Sequence, residues 1–278
     1  MTQSPSVVIQ ENRDPRFAYD SSIDLDIQEV GEEIFDGTAV HDISFRGATG
    51  KRIAAYLVTP IVGHSFPSVL FVHPLPGSRK SFLDEAVKLA DRRICSLCVD
   101  APWSGGMEWA NGMGNPEHDR NEYIGAIRDL RRGVDVLTSQ SVIDARRIGY
   151  VGHSLGALSG AVLSGVDRRA KAYVLMSGTT SFSEVASANM PEMKGDDATR
   201  YRKVMEDVDP IHFIPNAAPA KVMFQMGRSE EYFGHEKPQS LADAASEPKI
   251  VQWYDAGHLL NEKAQQDRDR WLVEELFG

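Results

Sequence analysis

Short, continuous apolar runs alternate with longer amphipathic stretches along most of this chain. Ser68 to Val72, Ile94 to Val99, Ile148 to Val151, Ala172 to Met176, Val222 to Gln225 and Ile250 to Tyr254 are such runs. They are too short for helices and lack the alternation of half-exposed strands, so they predict strands buried on both faces. Between them, residues 81–92, 119–139, 155–165 and 260–276 carry apolar residues at three-and-four spacing and predict helices with one buried face. Strand and helix in alternation predict an α/β fold, a mostly parallel sheet with helices on both faces. The first strand pair departs from it. Val40 to Phe45 and Ile53 to Thr59 flank the turn-forming Gly47-Ala48-Thr49-Gly50, which predicts an antiparallel hairpin at one edge and brings the strands to eight.

Two stretches stand outside this alternation. Residues 1–37 are polar, acidic and weakly periodic, and read as an arm with a short helix around 24–34 that wraps the domain or a partner subunit. A homodimer through this arm is the expectation that follows. The segment of about 179–218 is longer than a simple crossover, and it holds Met190, Met193 and Met205. It predicts a small helical cap over the carboxyl edge of the sheet within a single domain of residues 38–278.

Composition narrows the partners. Thirty Lys and Arg against forty Asp and Glu give a net charge of −10, and so acidic a surface repels phosphate backbones and anionic lipid. Nucleic acid is not expected. No apolar run approaches a membrane span, and the start, Met1-Thr2-Gln3-Ser4-Pro5, lacks the basic and apolar regions of a secretion signal, so the expected location is cytoplasmic. Cys95 and Cys98 form a Cys-x-x-Cys pair, but inside a strand two residues three apart point to opposite faces. Two small buried side chains are expected there, with no metal site or redox pair.

Gly152-His153-Ser154-Leu155-Gly156 follows one predicted strand and opens one predicted helix, the arrangement that holds a nucleophilic serine on a sharp turn. Its glycines are needed because larger side chains would collide with the adjoining strand and helix. A serine hydroxyl is a poor nucleophile without a base in reach and a carboxylate to orient that base. His258, between the last predicted strand and helix, is the candidate base. His153 flanks the serine, and its side chain is expected to turn away from it. The acid is expected after the strand ending at Met226, where Glu230 leads and Glu231 is the runner-up; Asp255 is expected to organise the histidine loop. Negative charge on the carbonyl oxygen calls for backbone donors. Leu155 supplies one N–H, and Leu75 the other, because its neighbours Pro74 and Pro76 have none.

These residues resemble the α/β-hydrolase superfamily of serine hydrolases, in its dienelactone-hydrolase-like and acyl-esterase or peptidase branch. The likeness runs over about 38–278 and is carried by several stretches. They are His73 to Ser78, Val99 to Pro102, Arg128 to Asp135, Asp144 to Gly149, the serine turn and Ala256-Gly257-His258. The order Ser154, Glu230, His258 is the nucleophile, acid, base order of that superfamily. The resemblance implies an eight-stranded sheet, its first pair antiparallel, and hydrolysis through an acyl-serine. Two departures stand out: dienelactone hydrolases proper carry cysteine where this chain has Ser154, and most relatives carry aspartate where it has Glu230.

The loop Pro102 to Met113 is rich in Trp, Met and Gly and follows a strand at the carboxyl edge, where pockets form in open sheets. Trp103, Met107 and Trp109 are expected to line a substrate pocket, together with His73 and His153. No phosphate loop, dinucleotide fingerprint or metal-ligand set occurs, so no cofactor or metal is expected. The function expected is hydrolysis of a small-molecule carboxylic ester, lactone or thioester. Acyl transfer, amide hydrolysis and noncatalytic ligand binding are the alternatives.

Overall fold

The computed structural model describes residues 14–278; residues 1–13 of the arm lie outside them. The sheet has nine strands, one more than expected: β1 (Gln28–Phe35), β2 (Thr38–Arg46), β3 (Arg52–Pro60), β4 (Phe66–Val72), β5 (Cys95–Val99), β6 (Ile143–His153), β7 (Ala170–Met176), β8 (Lys221–Gly227) and β9 (Lys249–Tyr254). They lie in the order β1-β2-β3-β5-β4-β6-β7-β8-β9. β1 to β3 are antiparallel to their neighbours, and all pairs from β5 onward are parallel. The helices are α1 (Leu83–Asp91), α2 (Met107–Asn111), α3 (Pro116–Ser139), α4 (Leu155–Val166), α5 (Phe182–Asn189), α6 (Gly195–Met205), α7 (Glu236–Ala244) and α8 (Glu262–Phe277). No helix among the described residues is long and apolar enough to cross a membrane.

β1 corrects the helix expected around residues 24–34. Val30 and Ile34 sit at helical spacing, but Asp36 and Gly37, with φ of 47° and 83°, make a two-residue turn that pairs Phe35 with Thr38. Asp-Gly is the pair that such hairpin turns select. Every residue of β1 is exposed, so burial does not oppose the strand. Ahead of it the chain lies against α3. Phe17 is buried, Arg131 donates to the Phe17 carbonyl at 2.8 Å, and the Tyr19 hydroxyl donates to Asp135 at 2.8 Å.

The central strands alternate between two cores, as strands buried on both faces must. Leu70, Val72, Leu97 and Tyr150 pack beneath α3 and α4, while Val69, Phe71 and Val151 pack against Leu89 of α1 and Leu272 of α8. Cys95 joins the first core and Cys98 the second, so the free thiols face opposite sides of the sheet. Burial raises the Cys95 thiol to about 12 and drives that of Cys98 up as well. Between β7 and β8 lie α5, α6 and three short 3-10 turns. Phe182 of α5 stacks on Tyr123 of α3 at 3.9 Å, and the Tyr201 hydroxyl of α6 donates to Asp119 at 2.9 Å. These contacts tie that segment to the first two turns of α3, beside the carboxyl edge of β5.

Candidate active site

β6 ends at His153 and α4 begins at Leu155, so Ser154 is the whole of the turn between them. Its φ of 55° and ψ of −115° lie where side chains are strained, at a cost of order 1–3 kcal/mol. Backbone contacts hold it there: Ser154 N–H donates to Met176 O at 2.9 Å, and Ser154 O accepts from Leu158 at 3.0 Å. The flanking glycines are required by contact. A Cβ on Gly152 would lie 2.3 Å from Gly156 O, and one on Gly156 would lie 2.2 Å from Val72 O. Strand β6, the end of β4 and the first turn of α4 thus meet with no room for a methyl group. Among the described residues, nothing hydrogen-bonds the Ser154 hydroxyl, and neither the Leu155 nor the Leu75 N–H is taken up inside the protein. The two donors expected to face a developing oxyanion are free to do so.

His258 follows β9, and its ring Nδ1 lies 2.8 and 2.9 Å from the two carboxylate oxygens of Glu230. Because a carboxylate only accepts, Nδ1 carries a proton, and in the neutral ring this tautomer leaves Nε2 as the acceptor. The Glu230 side chain is 1% exposed. Burial works to raise its pKa, but the His258 hydrogen bond, the His258 charge and the Tyr232 and Phe233 N–H groups outweigh it, leaving Glu230 below the ordinary glutamate value. The neighbouring Glu231 is exposed, and its Oε2 accepts the His258 backbone N–H at 3.0 Å. The two carboxylates are therefore divided: Glu230 holds the ring and Glu231 the backbone. Asp255 holds neither, contrary to expectation. Its side chain is 94% exposed and pairs with Arg228 at 3.3 Å, so the organising contact expected of it belongs to Glu231.

Two further groups fix the histidine loop. The His153 Nε2 lies 2.8 Å from the His258 carbonyl with the two rings 5.0 Å apart. Ser177, just past β7, donates its hydroxyl to the same carbonyl at 2.8 Å. Burial first, then the charge of His258, push the His153 pKa down to about 4, so it stays neutral. His153 is buried and braces the His258 loop, which corrects its expected place in a pocket wall. No motif announces Ser177; its signal is position alone, at the end of the strand next to β6. Sequence reasoning also missed Tyr232 and Phe233, whose rings meet His258 edge-on at 4.8 and 5.6 Å.

The other pocket residues need correction too. His73 is fully used: its Nε2 accepts from Ala101 N–H at 3.1 Å, which leaves Nδ1 protonated against Pro74 O at 2.8 Å. Trp103 donates its indole N–H to His73 O at 3.0 Å, and both side chains are buried. They brace the Leu75 loop and have no surface to offer a substrate. Trp109 extends this packing from Trp103 to Tyr123 in edge-on contacts of 6.1 and 6.0 Å. It also lines a cavity of 450 Å³ between β3, β5 and α3, whose walls include Phe45, Ile53, Asp129 and Leu130 but neither Ser154 nor His258. Met107 opens α2, and its side chain lies outside the described residues. The one grouping with metal-ligand spacing among the described residues, Glu29, Glu32 and His41, sits on the outer β1–β2 hairpin, away from the serine.

Known proteins agree with this architecture. Two uncharacterised proteins of Mycobacterium tuberculosis are each 29% identical over 211 residues, covering 76% of this chain and 69% of theirs. Among solved structures, an acetyl xylan esterase from a Paenibacillus species superposes with a TM-score of 0.76 at 18% identity, covering 91% of this chain and 89% of its own. Acetyl xylan esterase 1 from a Thermoanaerobacterium species gives 0.75 at 15% identity, covering 92% and 90%. At such identities these two speak for the fold. The family model described as "Alpha/beta hydrolase family" matches residues 69–271, the stretch that runs from β4 through the serine turn to α8, and the chain belongs to that family.

Proposed function

We propose that this protein is a serine-dependent carboxylic ester hydrolase acting on a small-molecule ester, lactone or thioester through an acyl-serine intermediate. One observation carries the reading: the buried Glu230 carboxylate grips Nδ1 of His258, on a loop bonded to the residue beside a strained Ser154. A serine that serves only as a helix cap needs no such pair, and a surface histidine does not have a buried carboxylate. In the first step, His258 Nε2 takes the Ser154 proton as Oγ attacks the ester carbonyl carbon. The Leu155 and Leu75 N–H groups receive the oxygen that gains negative charge. His258 then gives its proton to the departing alcohol oxygen, leaving the acyl group on Ser154, and a water deprotonated by His258 releases the acid. The Ser154–His258 hydrogen bond is not formed in the free protein. Such bonds commonly tighten only once substrate is bound. The segment 179–218 is its cap, and the hydrolase domain comprises residues 38–278 together with β1, which extends its sheet.

A fluorophosphonate probe tests this directly. Wild type is expected to take one label and Ser154→Ala none, with turnover of p-nitrophenyl esters from acetate to octanoate falling off at the acyl length where the pocket ends. Because solved proteins of the same fold are acetyl xylan esterases, acetate esters are the first to try. A wild type that takes no label and turns over no ester would rule the reading out.

A further inference from the structure

We infer that the alcohol portion of the ester is received by an apolar ledge of Tyr232, Phe233 and Leu259 beside His258, so the preferred substrates are esters of bulky apolar or aromatic alcohols. The inference rests on the ester hydrolase reading above. General acid chemistry fixes where the alcohol must lie, because the group that protonates the leaving oxygen has to be within hydrogen-bond reach of it. The leaving oxygen therefore sits at His258 Nε2, and the rest of the alcohol lies against whatever flanks that imidazole.

Most of the surroundings of His258 are occupied. Nδ1 is held by Glu230, and the backbone N–H and carbonyl are held by Glu231, His153 and Ser177. His153 is buried against the ring from within. Two aromatic rings stand beside the imidazole. The Tyr232 ring stands edge-on at 4.8 Å and is 62% exposed, Phe233 follows at 5.6 Å, and Leu259, the next residue in the chain, is 78% exposed. Seven of the other exposed large apolar side chains lie within residues 23–62, in or beside the β1–β3 edge, so these stand apart beside the base. Apolar surface left in water at such a place is stabilised only when something apolar covers it. The ledge is also fixed in place: the Tyr232 N–H donates to Glu230 Oε1 at 3.0 Å, and Phe233 packs against the core. The carboxylate that orients the base thus also sets the surface that meets the alcohol.

The test varies the alcohol while the acyl group stays constant. Ethyl, butyl, hexyl and benzyl acetate have leaving groups of similar basicity, so differences in kcat/KM report contact and not intrinsic reactivity. Wild type is expected to favour hexyl and benzyl over ethyl acetate by roughly tenfold. Tyr232→Ala and Leu259→Ser are each expected to shrink that ratio about threefold. A flat wild-type series, or a ratio unchanged in both variants, would overturn the ledge while hydrolysis itself stood. No fluorophosphonate label and no hydrolysis of any member would overturn the ester hydrolase reading, and the ledge with it.

Discussion

The proposed nucleophile and the proposed base of this site are held by different means. Ser154 is fixed by backbone: its turn is closed by main-chain bonds to Met176 and Leu158 and by two glycines with no space for a methyl group. His258 is fixed by four side chains from three places in the chain, Glu230 and Glu231 after β8, His153 at the end of β6 and Ser177 just past β7. A steric constraint acts over a few residues and fails abruptly when violated. A hydrogen-bonded one is spread over many residues and fails by degrees. The two halves should therefore respond differently to substitution.

The largest effect is expected at Glu230, the one member of the side-chain set that hydrogen-bonds the imidazole ring. Glu230→Gln keeps the size but turns an acceptor-only partner into one that can favour the wrong tautomer of His258. A loss in kcat of about 10³- to 10⁴-fold follows by analogy with other triads, with KM little changed. Stability gives an independent reading. The folded-state pKa of Glu230 lies below the ordinary value of 4.5, so its pairing supports the fold above that pH and is lost as pH falls through the lower folded-state value. Melting temperatures of wild type and Glu230→Gln should differ at pH 7 and converge as the pH drops below 4.5. A gap that holds constant in acid would show that the pair is not what Glu230 contributes.

Gly156→Ala breaks the other half. The new Cβ would meet the Val72 carbonyl at 2.2 Å, and backbone on both sides leaves little to yield. A destabilisation of about 3 kcal/mol is expected, with about a hundredfold loss of kcat as the serine shifts. Thermal melting and fluorophosphonate labelling rate measure the two. His153 should fail more gently. His153→Phe keeps the bulk beside the His258 ring but gives up the donor to its carbonyl, and Ser177 still holds that carbonyl. About a tenfold fall in kcat with unchanged KM is expected, partly restored by His153→Gln, which again offers an N–H. A Phe variant close to wild type, with the loss falling on Gln instead, would show that packing, and not the hydrogen bond, is what His153 provides.

This division also explains what the sequence revealed. The serine turn was legible because its constraints act between neighbours, Gly152 to Gly156, and because strand and helix patterns flank it. His258 and Glu230 were legible by their places after predicted strands. The contact of His153 with a carbonyl 105 residues away was not, since no local pattern encodes a distant loop. Trp103 and Trp109 misled for a related reason: an aromatic-rich loop reads the same whether its rings face a ligand or pack inward, and here Trp103 is wholly buried. The first strand was obscured because Val30 and Ile34 mimic one helical turn, while the decisive signal was the Asp36-Gly37 pair after them. Helix α7 escaped notice because its buried residues are few, Pro238, Leu241 and Ala242.

The smallest effect, and the finest test of the comparison, belongs to Glu231. It is as close in sequence to the base loop as Glu230, and it too accepts an N–H from His258, but it does so from an exposed position. Water can take over an exposed hydrogen bond at little cost, whereas a buried donor left alone keeps its full penalty. Glu231→Gln still offers an acceptor and should be nearly silent, and Glu231→Ala should lower kcat by about threefold. The labelling rate of Ser154 should follow kcat in both. If Glu231→Ala instead fell as far as Glu230→Gln, the tethering of the backbone would matter as much as the orientation of the ring. The base would then be held as rigidly as the nucleophile, and the contrast between the two halves would fail.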